Sequence, residues 1–187
     1  MKWRLSWLTA HKLIFLPNGG CRRLEAEKQL MHEIKIEHFE IGMSATTPEE
    51  MAKLSGASFL IAGRVPDAEG EAFDLYQWYA AWMRDNNSEN AAASKTPSYL
   101  IVEAGDSFEA TIPWEQLERA AVLYRINGLP LQKAGPIRLY VPNGSSKCLN
   151  VKSIVKLKIR HDEPNTQVEA AYGFKHTFSM NDLRNNK

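Results

Sequence analysis

The chain has 187 residues, 44% hydrophobic and 10% aromatic, enough to bury the core of one ordinary globular domain. Its formal net charge of +1 leaves no whole-protein electrostatic footprint, so neither nucleic acid nor an anionic membrane surface is expected as a partner. Only two cysteines are present, Cys21 and Cys148, which excludes a disulfide framework and a zinc site of ordinary spacing.

From the start, Trp3 to Phe15 mixes apolar and polar residues in a pattern open to strand or amphipathic helix. Arg4, His11 and Lys12 interrupt its apolar run and no small-x-small cleavage site follows, so it reads as mature sequence rather than a signal peptide. No apolar run in the chain approaches the ~20 residues of a membrane span. Pro17-Asn18-Gly19-Gly20 is a turn, Arg22 to Glu33 is rich in helix formers, and Ile34 to Ile41 reads as a strand. Residues 1–43 are therefore expected to form an N-terminal extension, either a packed extra layer, a docking arm or a dimer element.

Thr47-Pro48-Glu49-Glu50 is a helix start with a mechanism: Thr47 caps, Pro48 takes the first helical position and Glu50 completes a capping box. That helix should end near Gly56, followed by a short apolar strand from Phe59 to Ala62 and the turn Gly63-Arg64-Val65-Pro66. Tyr76, Trp78, Tyr79, Trp82 and Met83 then crowd one helix at spacings of three and four, the pattern of a core-facing stripe. Arg84 to Thr96 is polar and reads as an exposed loop. Tyr99 to Val102 and Phe108 to Ile112 suggest a hairpin around Gly105-Asp106, and Pro113 to Ala121 a short helix with Trp114, Leu117 and Ala121 facing inward.

Tyr124 to Ile159 reads as strand, tight turn, strand, polar loop, strand. Leu123 to Ile126 closes on Asn127-Gly128, which supplies the positive φ values of a tight turn. After Gly135-Pro136, the residues Ile137, Leu139 and Val141 alternate with Arg138 and Tyr140, and Pro142-Asn143-Gly144 stops the strand. Beyond the loop Ser145, Ser146, Lys147, the residues Val151, either Ile154 or Val155, Leu157 and Ile159 alternate with Lys152, Lys156 and Lys158. A last strand is expected near Val168 to Phe178.

The runs Asn127-Gly128-Leu129-Pro130-Leu131, Gly135 to Pro142 (G-P-I-R-L-Y-V-P) and Val151-Lys152-Ser153-Ile154-Val155 resemble an ordered motif of the sulfite oxidase family, which includes the catalytic subunits of protein-methionine-sulfoxide reductases. The likeness extends to Ser98–Val122 and, more weakly, to Ser58–Trp82. It implies an α+β fold, a molybdopterin-binding domain of mixed β-sheets with short helices over residues 44–187. The family's secreted enzymes carry clear export signals, so their absence here points to the cytoplasm.

Family enzymes hold molybdenum through the pterin dithiolene and one cysteine thiolate, a soft ligand suited to that metal. The cysteine normally follows the helix that Phe73 to Trp78 resembles. Trp82 to Ser88 stands there instead, without a cysteine, and Cys21 and Cys148 lie far off in sequence. The family's pterin-phosphate loop is better preserved: by resemblance Ser145, Ser146, Lys147, Asn150 and Lys152 can meet an anion, with Arg125 a further cation for the cleft, although Leu149 stands where a fixed charge is usual. Arg138 is expected to brace a strand against a nearby carboxylate or carbonyl. His11, His32, His38, His161 and His176 have no metal-ligand spacing, and no nucleophile elbow or phosphate-binding P-loop occurs.

The expected protein is thus a divergent molybdopterin-binding-domain relative with no assigned catalytic residue and no metal ligand. It would bind a pterin-like or phosphorylated ligand, molybdopterin among them, or a protein partner or second copy. The alternative is an active molybdopterin-dependent oxidoreductase whose metal lacks a protein thiolate or recruits Cys148.

Overall fold

The computed structural model describes residues 33–86, 95–162 and 168–175. The chain divides into a unit of residues 1–30 and a unit of residues 31–187. The expectations for Trp3–Phe15, for the helix Arg22–Glu33 up to residue 32, for Cys21 and for residues 87–94 lie outside the described residues.

The second unit is strand-rich α+β. Its strands are β1 (Ile34–His38), β2 (Gly42–Thr46), β3 (Ser58–Leu60), β4 (Glu71–Asp74), β5 (Tyr99–Ala104), β6 (Phe108–Pro113), β7 (Ala121–Ile126), β8 (Leu129–Pro130), β9 (Ile137–Tyr140), β10 (Val151–Arg160) and β11 (Ala171–Phe174). Two helices, α1 (Pro48–Leu54) and α2 (Leu75–Asn86), join them. The strand path runs β11-β6-β5-β10-β9-β7-β4-β3, antiparallel throughout, and β1 adds to β10 as the parallel pair.

β10 organises this sheet. One edge pairs with β5, while its other edge pairs first with β9 and then, farther along, with β1. Strict alternation from Val151 would turn Ile154 away from the core and Val155 into it. Register shifts on both edges prevent this, so that Val151, Ile154, Leu157 and Ile159 all reach the core and Val155 turns outward. Ser153 carries the kink at φ 54, with its N–H bonded to Ala134 O and its C=O accepting Gly105 N–H. No backbone polar group of the kinked residue is left unpaired.

The main core joins β10 to Ile34 and Ile36, Leu100 and Val102, Ile112, Val122, and Trp78 and Trp82 of α2. The expected aromatic stripe is therefore core. A smaller apolar cluster (Ile61, Ala72, Ala121, Leu123, Leu131) lies on the opposite face of β4 and β7. Alternate residues of β7 thus serve both clusters, as in a strand covered on both faces. Gly70 makes this approach possible: at φ +121, a Cβ there would sit 2.3 Å from Arg125 O.

Local expectations hold where a mechanism lay behind them. Thr47 and Glu50 form the reciprocal capping box. Asn127 and Gly128, at φ 52 and 73, close β7 onto β8. Others shift. Pro113–Ala121 is a single 3-10 turn at Trp114–Leu117, because Ala121 already pairs in β7. Phe73 lies within β4 rather than starting α2, whose cap is Asp74, accepting Gln77 N–H at 2.9 Å. The segment 34–43, read as part of the extension, supplies β1 with its fully buried Ile34 and Ile36, so a deletion through Gly42 would cut into the core.

The outward face of β10 carries a charge ladder. Lys156 (2.6 Å) and Arg160 hold Glu37, while Lys158 and Lys175 share Glu103 and Glu109. The Lys156 and Arg160 contacts hold the Glu37 carboxyl down to about 2. Buried His38 accepts the N–H groups of Glu40 and Ile41 on Nδ1, which leaves its proton on Nε2, 3.0 Å from Tyr79 Oη. Burial pushes its pKa down, against a small upward pull from Glu40.

Ser153→Gly should hold or raise stability, whereas Ser153→Val should lose about 1–2 kcal/mol in denaturant unfolding, because a β-branched residue resists positive φ. Stability should also fall in two stages as pH drops. Both groups are depressed in the folded state, so the unfolded chain binds protons first. The His38 contribution is complete above 6.5 and declines below it; the Glu37 contribution declines from 4.5 toward about 2. His38→Gln should remove the upper stage and Glu37→Gln should reduce the lower one.

Candidate functional site

The loop between β9 and β10 begins where Pro142, which has no N–H to donate, ends strand pairing. Its conformation is held by its own polar groups. Gly144 N–H bonds to Val141 O, Ser145 N–H to Gln116 Oε1, Cys148 N–H to Ser146 Oγ, Leu149 N–H to Ser146 O and Asn150 N–H to Lys147 O. Asn150 Oδ1 in turn accepts Val141 N–H at 2.8 Å, tying the two ends of the loop together. Leu149, fully buried, pins the loop to the main core. Where the resemblance leads one to expect a charge, the chain has an apolar anchor.

Facing this loop is the segment that follows the 3-10 turn at Ile61–Gly63. Between the two lies an open cleft of about 330 Å³, at the small end of the range for small-molecule sites. Val65, Pro66, Val141 and Pro142 form its apolar wall, and Arg64, Asp67, Ser146, Lys147 and Asn150 supply its polar groups. Arg64 is tightly oriented: its Nη1 lies 2.7 Å from Asp74 Oδ2 and within reach of Arg119 O and Ala120 O, and its guanidinium sits 4.3 Å from the centre of the Phe59 ring. Asp74 thereby holds Arg64 with one oxygen and caps α2 with the other. Because Asp74 balances Arg64, Lys147 is the cation left to face a ligand, with Asp67 opposing it across the cleft.

Of the six residues expected to meet an anion, the structure brings three together: Ser146, Lys147 and Asn150. Ser145 is turned outward and contributes its amide to Gln116. Lys152 is exposed on β10, outside the cleft lining. Arg125 lies in a separate pocket of about 240 Å³ with Glu49, Lys53, Ser58 and Tyr124. Five of the loop's amides are engaged within the fold, so recognition falls to side chains. Asn150 Nδ2, the Ser146 hydroxyl proton and Lys147 Nζ are the donors on offer.

Sequence reasoning missed Arg64, which stood inside an apparent turn, Gly63-Arg64-Val65-Pro66. The only signal was a carboxylate, Asp74, ten positions on, and its meaning depends on the fold. Arg138 does brace the chain as expected, donating to Lys133 O at 2.7 Å. Cys148 is exposed on the 3-10 turn Lys147–Leu149. Among the described residues no group of three or more His, Cys, Asp or Glu is arranged to hold a metal ion, and no helix is long and apolar enough to cross a membrane.

Compared with known proteins, the chain matches no family model, and it has no match among curated proteins or solved structures.

Asn150→Ala should cost about 1–3 kcal/mol, since the Val141 N–H loses its acceptor in a half-buried site. Asn150→Asp keeps an acceptor and should recover most of that loss. Chemical denaturation of both variants, with hydrogen exchange at Val141, measures the effect.

Proposed function

We propose that the chain binds a phosphorylated or pterin-like small molecule in the cleft between residues 64–67 and 141–150, on a divergent scaffold of the sulfite oxidase molybdopterin-binding type and without redox catalysis of its own. One observation carries the proposal: Ser146, Lys147 and Asn150, singled out from a phosphate-loop resemblance, line one cleft together with an oriented arginine and an apolar wall. An apolar wall with a few convergent donors suits a flat ring bearing a charged group. Lys147 would supply the mobile charge for a phosphate, and Ser146 and Asn150 would add hydrogen bonds. Arg64 is committed to Asp74, so its part is to shape the floor of the cleft rather than to neutralise the ligand.

The absence of redox chemistry rests on the sequence. The stretch after α2, where the family places its thiolate, has no cysteine, and α2 itself runs through Asn86 there. Molybdopterin fits the donor set of the cleft at its phosphate end only. Stoichiometric molybdenum in the purified protein, with oxidase or reductase turnover, would favour the active oxidoreductase instead.

Titration of the full chain with a pterin phosphate ester and with the unphosphorylated pterin, followed by quenching of pterin fluorescence, tests the assignment. The ester should bind more tightly. Lys147→Gln should weaken the ester about tenfold or more, the scale of a lost charge-assisted hydrogen bond, and leave the free pterin unchanged. Asp67→Asn should tighten the ester by removing the opposing carboxylate. Equal affinity for the two probes, or an indifferent Lys147→Gln, would overturn it.

A further inference from the structure

The pocket around Arg125 carries a second inference, independent of the cleft. Arg125 sits on β7 with its guanidinium 5.3 Å from the centre of the neighbouring Tyr124 ring. Its Nε is buried and has no hydrogen-bond partner. The nearest carboxylate, Glu49 Oε1, stands 3.8 Å from Nη2, an ion pair too long to be a hydrogen bond. A buried guanidinium donor normally finds a partner.

The surroundings supply a hydroxyl pair engaged with a carboxylate and a second cation. Tyr124 Oη lies 3.1 Å from Ser58 Oγ and donates to Glu71 Oε2 at 3.4 Å. Lys53, one helical turn after Glu49 on α1, lines the same pocket, which opens to solvent with a volume of about 240 Å³. The pocket therefore offers two cations around one unsatisfied N–H, with the Ser58 and Tyr124 hydroxyls committed toward Glu71 and one loosely held carboxylate at its edge.

We infer that this pocket is a binding site for a small carboxylate, which docks side-on to Nε and Nη2 of Arg125 with Lys53 as the second cation. Side-on pairing uses the two parallel donors that a guanidinium presents to a carboxylate, and it satisfies the buried Nε, which the long end-on approach of Glu49 does not. Glu49 is the internal competitor that the ligand displaces. Glu71 stays on Tyr124 and fixes the hydroxyl's direction. A ligand of a few carbons fits the volume; a larger one must extend into solvent past Lys53.

The test follows the Arg125 Nε–H resonance by NMR while the full chain is titrated with acetate and succinate at constant ionic strength. Inorganic phosphate and chloride serve as comparison anions. Acetate and succinate should produce a saturable downfield shift. Glu49→Gln should tighten binding about threefold, the scale of losing one partly exposed ion pair. Arg125→Lys keeps the charge but loses the fork, and it should abolish the saturable response of the Tyr124 and Ser58 amides while a thermal melt reports the fold. Lys147→Gln should change nothing here, which separates this site from the cleft.

The assignment is overturned by an Nε–H resonance that carboxylates leave unmoved, or by a Glu49→Gln variant that binds no more tightly. Phosphate binding in preference to both carboxylates, or loss of binding in Lys147→Gln, would overturn it equally.

Discussion

Ten residues of β10 have to satisfy three neighbours and one core. β5 runs along one edge, while β9 and β1 divide the other, and four of the five apolar side chains from Val151 to Ile159 point inward. A regular strand with period two cannot do this at the spacing Val151, Ile154, Leu157, Ile159. The extra residues absorb the mismatch, and Ser153 takes a left-handed conformation that costs stability for any residue but glycine. A bond donated to Ala134 O and one accepted from Gly105 N–H tie that kink to two neighbouring loops. The position of β1, the angle of β9 and the start of the cleft loop all follow from where this strand bends.

The cleft inherits its order from the same source. Its loop leaves β9 at Val141 and enters β10 at Val151, and Leu149 plugs the core between the two strands. Asn150 then fixes the loop by bonding back to Val141 N–H, so the side chains of Ser146 and Lys147 project from a closed frame. The opposite wall is fixed through Asp74, which couples Arg64 to the first turn of α2. Neither wall depends on a long flexible segment, so little ordering entropy is spent when a ligand binds.

Much of the fold was legible in the chain because its signals were local. A capping box, an Asn-Gly turn and an aromatic stripe each act within a few residues, and each appears where it was read. What escaped were relations between distant segments. The choice between Ile154 and Val155 depends on the register with β5 and β9, which local alternation does not carry. The segment 34–43 looked peripheral because a parallel strand paired more than a hundred positions later leaves no local mark. In the cleft, three residues of one loop were found together by their nearness in sequence. Arg64 was missed, and Lys152 and Arg125 were misplaced, because only the tertiary arrangement says which way a strand residue faces.

The resemblance that led to the cleft is built largely from residues with a structural task. Asn127-Gly128 meets the positive φ values of the β7–β8 turn. Arg138 holds Lys133 O, Pro142 ends strand pairing, and the valine of Val151-Lys152 is a core residue. Any antiparallel meander with these turns would select similar residues, whether or not a cofactor followed. Such a motif carries information about hairpins, and the weight of a functional assignment has to rest on side chains that the fold does not already employ. Lys147, the Asn150 amide nitrogen and the buried Nε of Arg125 meet that condition. Leu149 and the loop amides do not, which is why the donors that matter in this chain differ in part from those its motif pointed to.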